Sequence, residues 1–330
     1  MARLRFKDRA QPLRHSQISN FPRARGWGFL LLTIDLSRLT PFRIGSTAQA
    51  MHEALKRHWP EYLMECAELA IFMISASVFT IVLYHPMSPV SRAVPGEFAR
   101  RLLSGLAMGL TLTGIVYSPW GKRSGAHMNP AFTLTFWRLG KVASWDAVFY
   151  ISSQFVGGVL GILVIAAVAG SQLEHPSVNY VATVPGPAGP WVAFVAEVVI
   201  SFVLLTVVLL LTNRPALARW TGIVAGLCVA VFITFESPFS GMSMNPARTV
   251  GSALLPGLWK SVWIYFTAPP VGMLFGAELY TFFKGRVRCA KFHHQNQFRC
   301  IFCEYQSAKE KGREPVGTLK PGSSLAENLS

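Results

Sequence analysis

The sequence has too few charged residues for a soluble globular protein. Asp, Glu, Lys and Arg make up 14% of its 330 residues, whereas hydrophobic residues make up 51%. Soluble proteins contain about 25% charged residues, so this chain lacks the polar surface that a water-soluble fold requires. Acidic residues are scarcer still, at 16 against 31 basic ones. Basic residues beside apolar segments more often set membrane orientation than bind nucleic acid, so we predict no nucleic-acid partner.

Two long stretches have almost no charge. Residues 147–169 contain none, and residues 191–211 contain only Glu197. A helix needs about 20 apolar residues to cross the hydrocarbon core of a lipid bilayer, and continuous apolar runs favour helices over barrel strands. We therefore predict an all-α integral membrane protein. Its six predicted spans are residues 62–84, 102–118, 147–169, 191–211, 220–235 and 261–283.

Lysine and arginine are absent from the loop at residues 170–190, whereas the N-terminal arm and residues 122–141, 214–219 and 284–291 are basic. The positive-inside rule places basic loops in the cytoplasm. The sequence thus predicts a multi-pass protein of the plasma (inner) membrane with both termini cytoplasmic. Three arginines run against this pattern: Arg92, Arg100 and Arg101.

The first 50 residues lack an apolar run long enough to span a membrane, and they lack a signal-peptide pattern. Met51 begins a segment that would serve as a native start. We predict that these residues are either a disordered cytoplasmic arm or an over-extended reading frame, and we assign them no function.

The chain contains an internal repeat. Glu68 and Glu197 each lie in the first span of a half, and Met-Asn-Pro-Ala follows the second span of each half, at residues 128–131 and 244–247. With three spans in each half, the second half must insert upside down. Inverted repeats of this kind place a permeation or binding site near the bilayer midplane.

Each Asn-Pro-Ala motif predicts the start of a helix, because Asn is a strong N-cap and Pro is favoured at the first helical position. The helices predicted at residues 130–139 and 246–255 would each be about 15 Å long, half the thickness of the membrane core. Entering from opposite faces, they would meet end to end, and their positive N-termini would repel cations. The motif residues are Asn129, Pro130, Ala131, Asn245, Pro246 and Ala247.

Residues 125–131 (GAHMNPA) and 241–248 (GMSMNPAR) resemble the two signature loops of the aquaporins, or major intrinsic proteins. The resemblance extends from about residue 62 to residue 283. It implies six tilted helices plus two re-entrant half-helices in an inverted repeat, and a homotetramer with one pore per subunit. It also implies that no cofactor is required for transport, and that three residues support the pore loops: Glu68, Glu197 and His127.

Arg248 matches the family's selectivity-filter arginine, and the other filter positions fall on Met108, Ile233 and Met242. Gly109 is an alternative to Met108, because the loop before the first motif is one residue longer than the family pattern. Water-selective members have Phe and His in this ring, and glycerol facilitators have Trp, Gly and Phe. The ring in this chain therefore matches neither type.

Other positions are similar to the water-type branch: Thr249 follows the arginine, Ala253 is small, and Tyr265 and Phe266 form an aromatic pair in the last span. We therefore predict a passive water channel that excludes protons and ions, and not an enzyme. A channel for glycerol, hydrogen peroxide, ammonia or metalloid hydroxides is the alternative. An alternative of another class is a non-conducting structural or adhesion membrane protein.

The C-terminal tail contains Cys300 and Cys303 in a Cys-x-x-Cys pair, with Cys289, His293 and His294 upstream. This spacing predicts a structural zinc site made by the three cysteines and one of the two histidines. A basic segment with incidental cysteines that touches anionic headgroups is the alternative. The expected divisions are residues 1–60 (N-terminal arm, disordered or over-extended), 61–284 (channel domain, with half-repeats at about 61–170 and 190–284), 285–314 (Cys/His cytoplasmic tail) and 315–330 (disordered).

Overall fold

The computed structural model describes residues 47–294 and 299–311, and the regular structure in these residues is helical. A 3-10 helix covers Asn179–Val181. The α-helices are α1 (Thr47–Tyr84), α2 (Pro89–Ala93), α3 (Glu97–Tyr117), α4 (Pro119–Ser124), α5 (Pro130–Arg138), α6 (Ser144–Ala169), α7 (Ser171–Glu174), α8 (Pro190–Thr212), α9 (Pro215–Ala218), α10 (Thr221–Phe235), α11 (Ser237–Ser240), α12 (Pro246–Leu254), α13 (Val262–Lys284) and α14 (Ile301–Lys311).

The six predicted spans coincide with α1, α3, α6, α8, α10 and α13, which confirms the all-α fold class. Among the described residues, α1, α6 and α8 are long and apolar enough to cross a membrane by length and composition alone. The helix α10 is apolar but shorter. The helix α3 begins with charged residues at Glu97, Arg100 and Arg101, which lowers its hydropathy.

The first helix begins earlier than the sequence predicts. We expected residues 1–60 to form an arm that is either disordered or an over-extended start, but residues 47–60 are helical and continue directly into the first span. Pro60 lies inside this helix. Residues 51–59 (MHEALKRHW) contain no apolar run that would mark them as a span, and most of their side chains are exposed. Residues 1–46 and the predicted disordered segment 315–330 lie outside the described residues.

The long helices pair in a way that matches an inverted repeat. In the first half α1 packs on α6, in the second half α8 packs on α13, and α3 and α10 pack on each other across the two halves. Glycines allow these close approaches. A Cβ atom at Gly157 of α6 would overlap the Cys66 carbonyl of α1, and one at Gly272 of α13 would overlap the Val198 carbonyl of α8. Small residues at helix interfaces are the usual device for close packing in membranes.

The two short helices after the Asn-Pro-Ala motifs are buried inside this bundle. The helix α5 packs on α6 and α13, and α12 packs on the same two helices and on α5. Each begins at the predicted proline and ends one residue before the predicted end, at Arg138 and Leu254. Two half-membrane helices therefore lie at the centre of the fold, and their positions define where a pore would run.

Candidate pore and functional site

Both half-helices are capped by the asparagine of their motif. The Asn129 side-chain oxygen accepts a hydrogen bond from the Ala131 amide at 2.9 Å. The Asn245 side-chain oxygen accepts from the amides of Ala247 at 3.0 Å and Arg248 at 3.2 Å. These bonds satisfy amide groups that have no partner inside the helix. Both asparagines are thereby held with their NH2 groups directed away from their own helices.

The same two side chains connect the halves of the protein. The Asn129 NH2 group donates to the Met244 carbonyl at 2.6 Å, and the Asn245 NH2 group donates to the Met128 carbonyl at 2.7 Å. An amide NH2 carries two hydrogens, so each group keeps a second hydrogen after making this bond. The half-helices thus meet tip to tip, and one N–H of each asparagine remains for another acceptor.

The loops that lead into the motifs have a repeated and unusual backbone. In the first loop φ is +55° at Ala126 and +49° at Met128, and in the second it is +49° at Met242 and +52° at Met244. Left-handed conformation at a residue other than glycine costs on the order of 1–3 kcal/mol. Such strain persists only where surrounding contacts fix the chain, and here those contacts come from buried carboxylates.

One buried glutamate holds each loop. Glu197 accepts hydrogen bonds from the amides of Ser243 at 2.6 Å and Met244 at 2.7 Å. Glu65 accepts from the amides of His127 at 2.8 Å and Met128 at 2.6 Å. Both carboxylates are fully buried, and hydrogen bonds to a charged acceptor are stronger than neutral ones. The two glutamates therefore stabilise corresponding turns in the two halves.

The loop-supporting residue predicted for the first half was Glu68, and the structure corrects this assignment. Glu68 accepts only from the Ser124 hydroxyl, at 3.0 and 3.1 Å to its two oxygens, whereas Glu65 receives the loop amides. In the second half Glu197 performs both tasks, because it also accepts from the Ser240 hydroxyl at 2.8 Å. Sequence reasoning missed Glu65, although an acidic residue one turn before Glu68 in a span was a signal.

His127 joins the first pore loop to the tail. Its Nε2 lies 2.7 Å from the Ala290 carbonyl, and its Nδ1 lies 3.0 Å from the Thr133 hydroxyl. Because a carbonyl can only accept, Nε2 carries the hydrogen, and a neutral ring then accepts from Thr133. Gln154 completes this network by donating to both Glu65 and Thr133. The histidine predicted to support the loop therefore also contacts a segment that the family resemblance does not cover.

A cavity of about 480 Å³ passes the meeting point of the half-helices. Tyr84, at the end of α1, and Ser177, in the loop after α7, line it at one end, and Phe292 of the tail lines it near the first pore loop. The four predicted filter residues line the same cavity, as do both motif asparagines: Met108, Ile233, Met242, Arg248, Asn129 and Asn245.

The structure distinguishes the two candidates for the first filter position. Met108 is buried and lines the cavity. Gly109 instead faces the neighbouring helix, where an added Cβ atom would lie 2.5 Å from the Gly226 carbonyl oxygen. Three of the four predicted filter residues are apolar, since the side chains of Met108, Ile233 and Met242 offer no hydrogen-bond donor.

Arg248 supplies the polar side of the predicted filter. Its guanidinium lines the cavity, and its Nη1 is buried with no hydrogen-bond partner among the residues that the structure describes. A buried donor without a partner costs free energy unless something binds it. The site therefore has a fixed positive charge and an N–H group available to an acceptor in the cavity.

Four of the five predicted metal ligands converge in the tail. The ligand atoms of Cys289, His294, Cys300 and Cys303 all lie within 4.8 Å of one another. The fifth, His293, lies elsewhere, because its ring packs edge-on against Tyr117 with the ring centroids 5.1 Å apart. The structure thus selects His294 from the two histidines that the sequence left open.

A bundle of six long helices that encloses two half-helices, joined at their tips beside a cavity, defines a channel-type membrane fold. Comparison with known families agrees with this description. The chain belongs to the major intrinsic protein family, whose model matches residues 55–280. This confirms the resemblance to aquaporins that the motifs predicted.

Curated relatives agree with this family assignment. The chain is 38% identical to aquaporin NIP2-1 of Oryza sativa subsp. japonica over 187 residues, which is 56% of this chain and 60% of that protein. It is 35% identical to aquaporin NIP3-1 of Arabidopsis thaliana over 226 residues, or 66% and 68% of the two chains. The chain therefore spans about 60% of the length of the first of these relatives.

The fold is also similar to the X-ray structure of the aquaglyceroporin from Plasmodium falciparum. The TM-score is 0.56 at 19% sequence identity, and the match covers 68% of this chain and 95% of that chain. At this level of identity the likeness concerns the fold and not the solute.

Proposed function

We propose that the chain forms a passive transmembrane channel for small uncharged solutes. The observation that carries this proposal is the unpaired Nη1 of Arg248 in a cavity that also holds the NH2 groups of Asn129 and Asn245. A neutral molecule with an oxygen acceptor loses water contacts on entering such a cavity and regains hydrogen bonds from these donors. The donors lie along one cavity, so the molecule can pass from one to the next.

The same groups oppose the passage of cations. Each half-helix directs its positive N-terminus, equivalent to about half an elementary charge, at the meeting point of Asn129 and Asn245. Arg248 adds a full charge within the same cavity. Hydronium and metal cations would therefore meet a positive potential at two places along the path, and we propose that this is how the channel excludes protons and ions.

Water is the solute that the sequence predicts first, and small solutes such as glycerol are the second candidate. The chemistry of the predicted filter residues supports keeping the second candidate, because Met108, Ile233 and Met242 are apolar and line the same cavity as Arg248. A polyol has hydroxyl groups on one side and carbon atoms on the other, and this ring offers a partner to each. Thioether side chains also adapt their shape readily.

Further parts of the proposal concern assembly and orientation. The outer surface exposes large apolar side chains, among them Leu110 at 72% and Val168 at 79% exposure. These faces suit contact with lipid or with sibling subunits of a homotetramer. The basic loops support an orientation with both termini in the cytoplasm. A channel of this kind performs no covalent chemistry, so we propose no enzymatic activity.

Stopped-flow light scattering of proteoliposomes tests the proposal. We expect proteoliposomes to shrink fast after a sucrose step. The full chain is compared with its Phe292→Ala variant, because Phe292 lines the cavity and its removal widens one end, and fast shrinkage with either protein supports a channel. Re-swelling after a glycerol step would assign the chain to the solute-conducting type, and its absence to the water-selective type. If neither protein exceeds empty liposomes, with a folded oligomer verified by size-exclusion chromatography, the non-conducting structural alternative replaces the channel.

Arg248→Ala tests the residue that carries the argument. Removing the guanidinium takes away both the charge and the free N–H group, so we expect several-fold faster entry of solutes larger than glycerol. Arg214→Ala is the matched control, since Arg214 is an exposed arginine outside the cavity. Identical solute profiles for the two variants would remove Arg248 from the filter.

A further inference from the structure

The cluster in the tail has the dimensions of a tetrahedral metal site. The sulfur of Cys289 lies 3.6 Å from that of Cys300 and 3.8 Å from that of Cys303, and the Nε2 of His294 lies 3.3 Å from the Cys303 sulfur. A tetrahedral zinc ion with Zn–S of about 2.3 Å and Zn–N of about 2.0 Å requires edges of roughly 3.5–3.8 Å. The four ligand atoms therefore already lie near the corners of a zinc tetrahedron.

The surroundings suit a cluster that carries a net negative charge. Three thiolates and one zinc ion sum to one negative charge, and burying such a charge needs a positive partner. Lys291, two residues after Cys289, is 2% exposed. Its ammonium group donates to the Lys122 carbonyl at 2.7 Å. A buried lysine in the same short segment as the four ligands supplies a positive charge of the kind that a metal-bound cluster of three thiolates requires.

Two phenylalanines of the tail pack against the first pore loop and the half-helix that follows it. The Phe302 ring lies parallel to the His127 ring with centroids 5.2 Å apart, and the Phe292 ring lies nearly parallel to Phe132 at 4.6 Å. The Phe292 amide donates to the Gly125 carbonyl at 3.3 Å. Phe302 lies between Cys300 and Cys303 in sequence, so the metal ligands and the docking rings belong to one short segment.

Gly125 makes this contact possible. Its φ of +104° favours glycine, and a Cβ atom there would lie 2.9 Å from the Phe302 ring. The ring therefore occupies the space beside the loop that a side chain would otherwise take. The tail fits this loop closely and does not lie loosely on it.

The docked tail extends to the pore itself. Among the tail residues that the structure describes, Phe292 lines the cavity, alongside His127, Met128 and Asn129 of the first pore loop. Its side chain is 4% exposed. We call this end of the cavity the tail-side mouth. An aromatic ring fixed at the tail-side mouth narrows the path of any solute that enters or leaves there.

We propose that Cys289, His294, Cys300 and Cys303 bind one zinc ion, and that this ion holds Phe292 across the tail-side mouth so that the metal restricts conduction. The zinc site stands on the ligand geometry alone. The restriction of conduction rests on the proposed channel function, and the two parts are tested by separate measurements.

Metal content tests the site without reference to transport. The full chain, purified in detergent with a phosphine reductant, is expected to contain one zinc per chain by plasma mass spectrometry. Cys300→Ser and Cys303→Ser remove a ligand and should lower zinc affinity at least about tenfold in competition with a chelator. Cys66→Ser and Cys228→Ser are the matched controls, since these thiols lie in α1 and α10, and both should retain zinc.

Cys303→His tests whether zinc loss in the serine variants is due to misfolding. It exchanges one zinc ligand for another and should keep the metal. Zinc retained at one per chain by both serine variants overturns the site. Absence of zinc from the full chain, even after incubation with zinc sulfate, also overturns it.

Permeability tests the restriction. Phe292→Ala should keep its zinc and conduct faster than the full chain, and Cys300→Ser should lose zinc and also conduct faster. Equal permeability of the full chain and both variants overturns the restriction while leaving the channel intact. If none of the three conducts while the full chain binds zinc, the channel function and the restriction fail together, and the zinc site remains.

Discussion

The Asn129 side chain of the first half donates a hydrogen bond of 2.6 Å to the Met244 carbonyl of the second half. Its oxygen at the same time caps its own half-helix through the Ala131 amide. One side chain thus caps its own helix and contacts the other half. Asn245 does the same for the second half: its oxygen accepts from the Ala247 amide, and its NH2 group donates to the Met128 carbonyl. The position of each helix tip is therefore set by the opposite half of the chain.

Asn129→Asp separates these two tasks. Aspartate keeps the capping oxygen, but it loses the NH2 donor to Met244 and places a negative charge at the meeting point of the helix N-termini. We expect the positive barrier to weaken and protons or cations to leak, measured with pyranine inside proteoliposomes under a potassium diffusion potential. Asn213→Asp is the control, because Asn213 lies at the end of α8, outside the cavity. A proton-tight Asn129→Asp channel would contradict the electrostatic account.

Glu65→Gln and Glu68→Gln compare the two neighbouring acids of α1. Glutamine at position 65 keeps one acceptor oxygen for two loop amides, so one charge-assisted bond of about 1.5–3 kcal/mol is lost. Glutamine at position 68 can still accept from the Ser124 hydroxyl. We expect a clearly lower thermal unfolding midpoint for Glu65→Gln, recorded by a thiol-reactive dye or by intrinsic fluorescence. An equal or greater loss for Glu68→Gln would return the loop-supporting role to that residue.

Gly109→Ala tests the close packing of α3 on α10. The added methyl group would lie 2.5 Å from the Gly226 carbonyl oxygen, so the two helices must move apart. Gly114→Ala, in the same helix, meets nothing within 4 Å and should be neutral or stabilising by up to about 1 kcal/mol. Thermal unfolding of the two variants side by side should show a loss for Gly109→Ala alone. Equal midpoints would show that α3 and α10 accommodate the added methyl group, and would contradict a tight helix contact at Gly109.

Met108→Ala tests the apolar wall of the filter. Shortening this side chain enlarges the cavity that Arg248 also lines, and we expect several-fold faster glycerol entry relative to water. Leu110→Ala removes a similar volume from the same helix, but Leu110 is 72% exposed and faces outward, so its permeability should not change. Parallel changes in both variants would point to a general effect on the bundle and not to the filter.

Much of the fold could be predicted because its signals are local. Asn followed by Pro defines a helix start through capping chemistry alone, and α5 and α12 begin at Pro130 and Pro246 as expected. Uncharged runs define spans because the bilayer imposes a minimum length. The start of α1 at Thr47 could not be predicted in this way, because its first turns are polar and contain Pro60.

The parts of the site that escaped prediction depend on contacts between distant residues. Glu65 and Glu68 are equivalent in sequence terms, and only the packing of the first pore loop decides which one receives the amides of His127 and Met128. The choice of His294 over His293 depends on the fold of the tail. The contact between Ala290 and His127 joins residues that no sequence pattern relates.

The acceptors at the centre of the cavity are the main-chain carbonyls of Met128 and Met244, which receive the two asparagine NH2 groups. A point mutation cannot remove a main-chain carbonyl. Substitution of Met128 or Met244 therefore changes the side chain beside the cavity and leaves the acceptor in place. The donors and acceptors at this point are therefore set by the backbone path of the two pore loops, which Glu65 and Glu197 stabilise. Substitutions at Met108, Ile233 or Met242 can therefore change the lining of the cavity without removing either of these two acceptors.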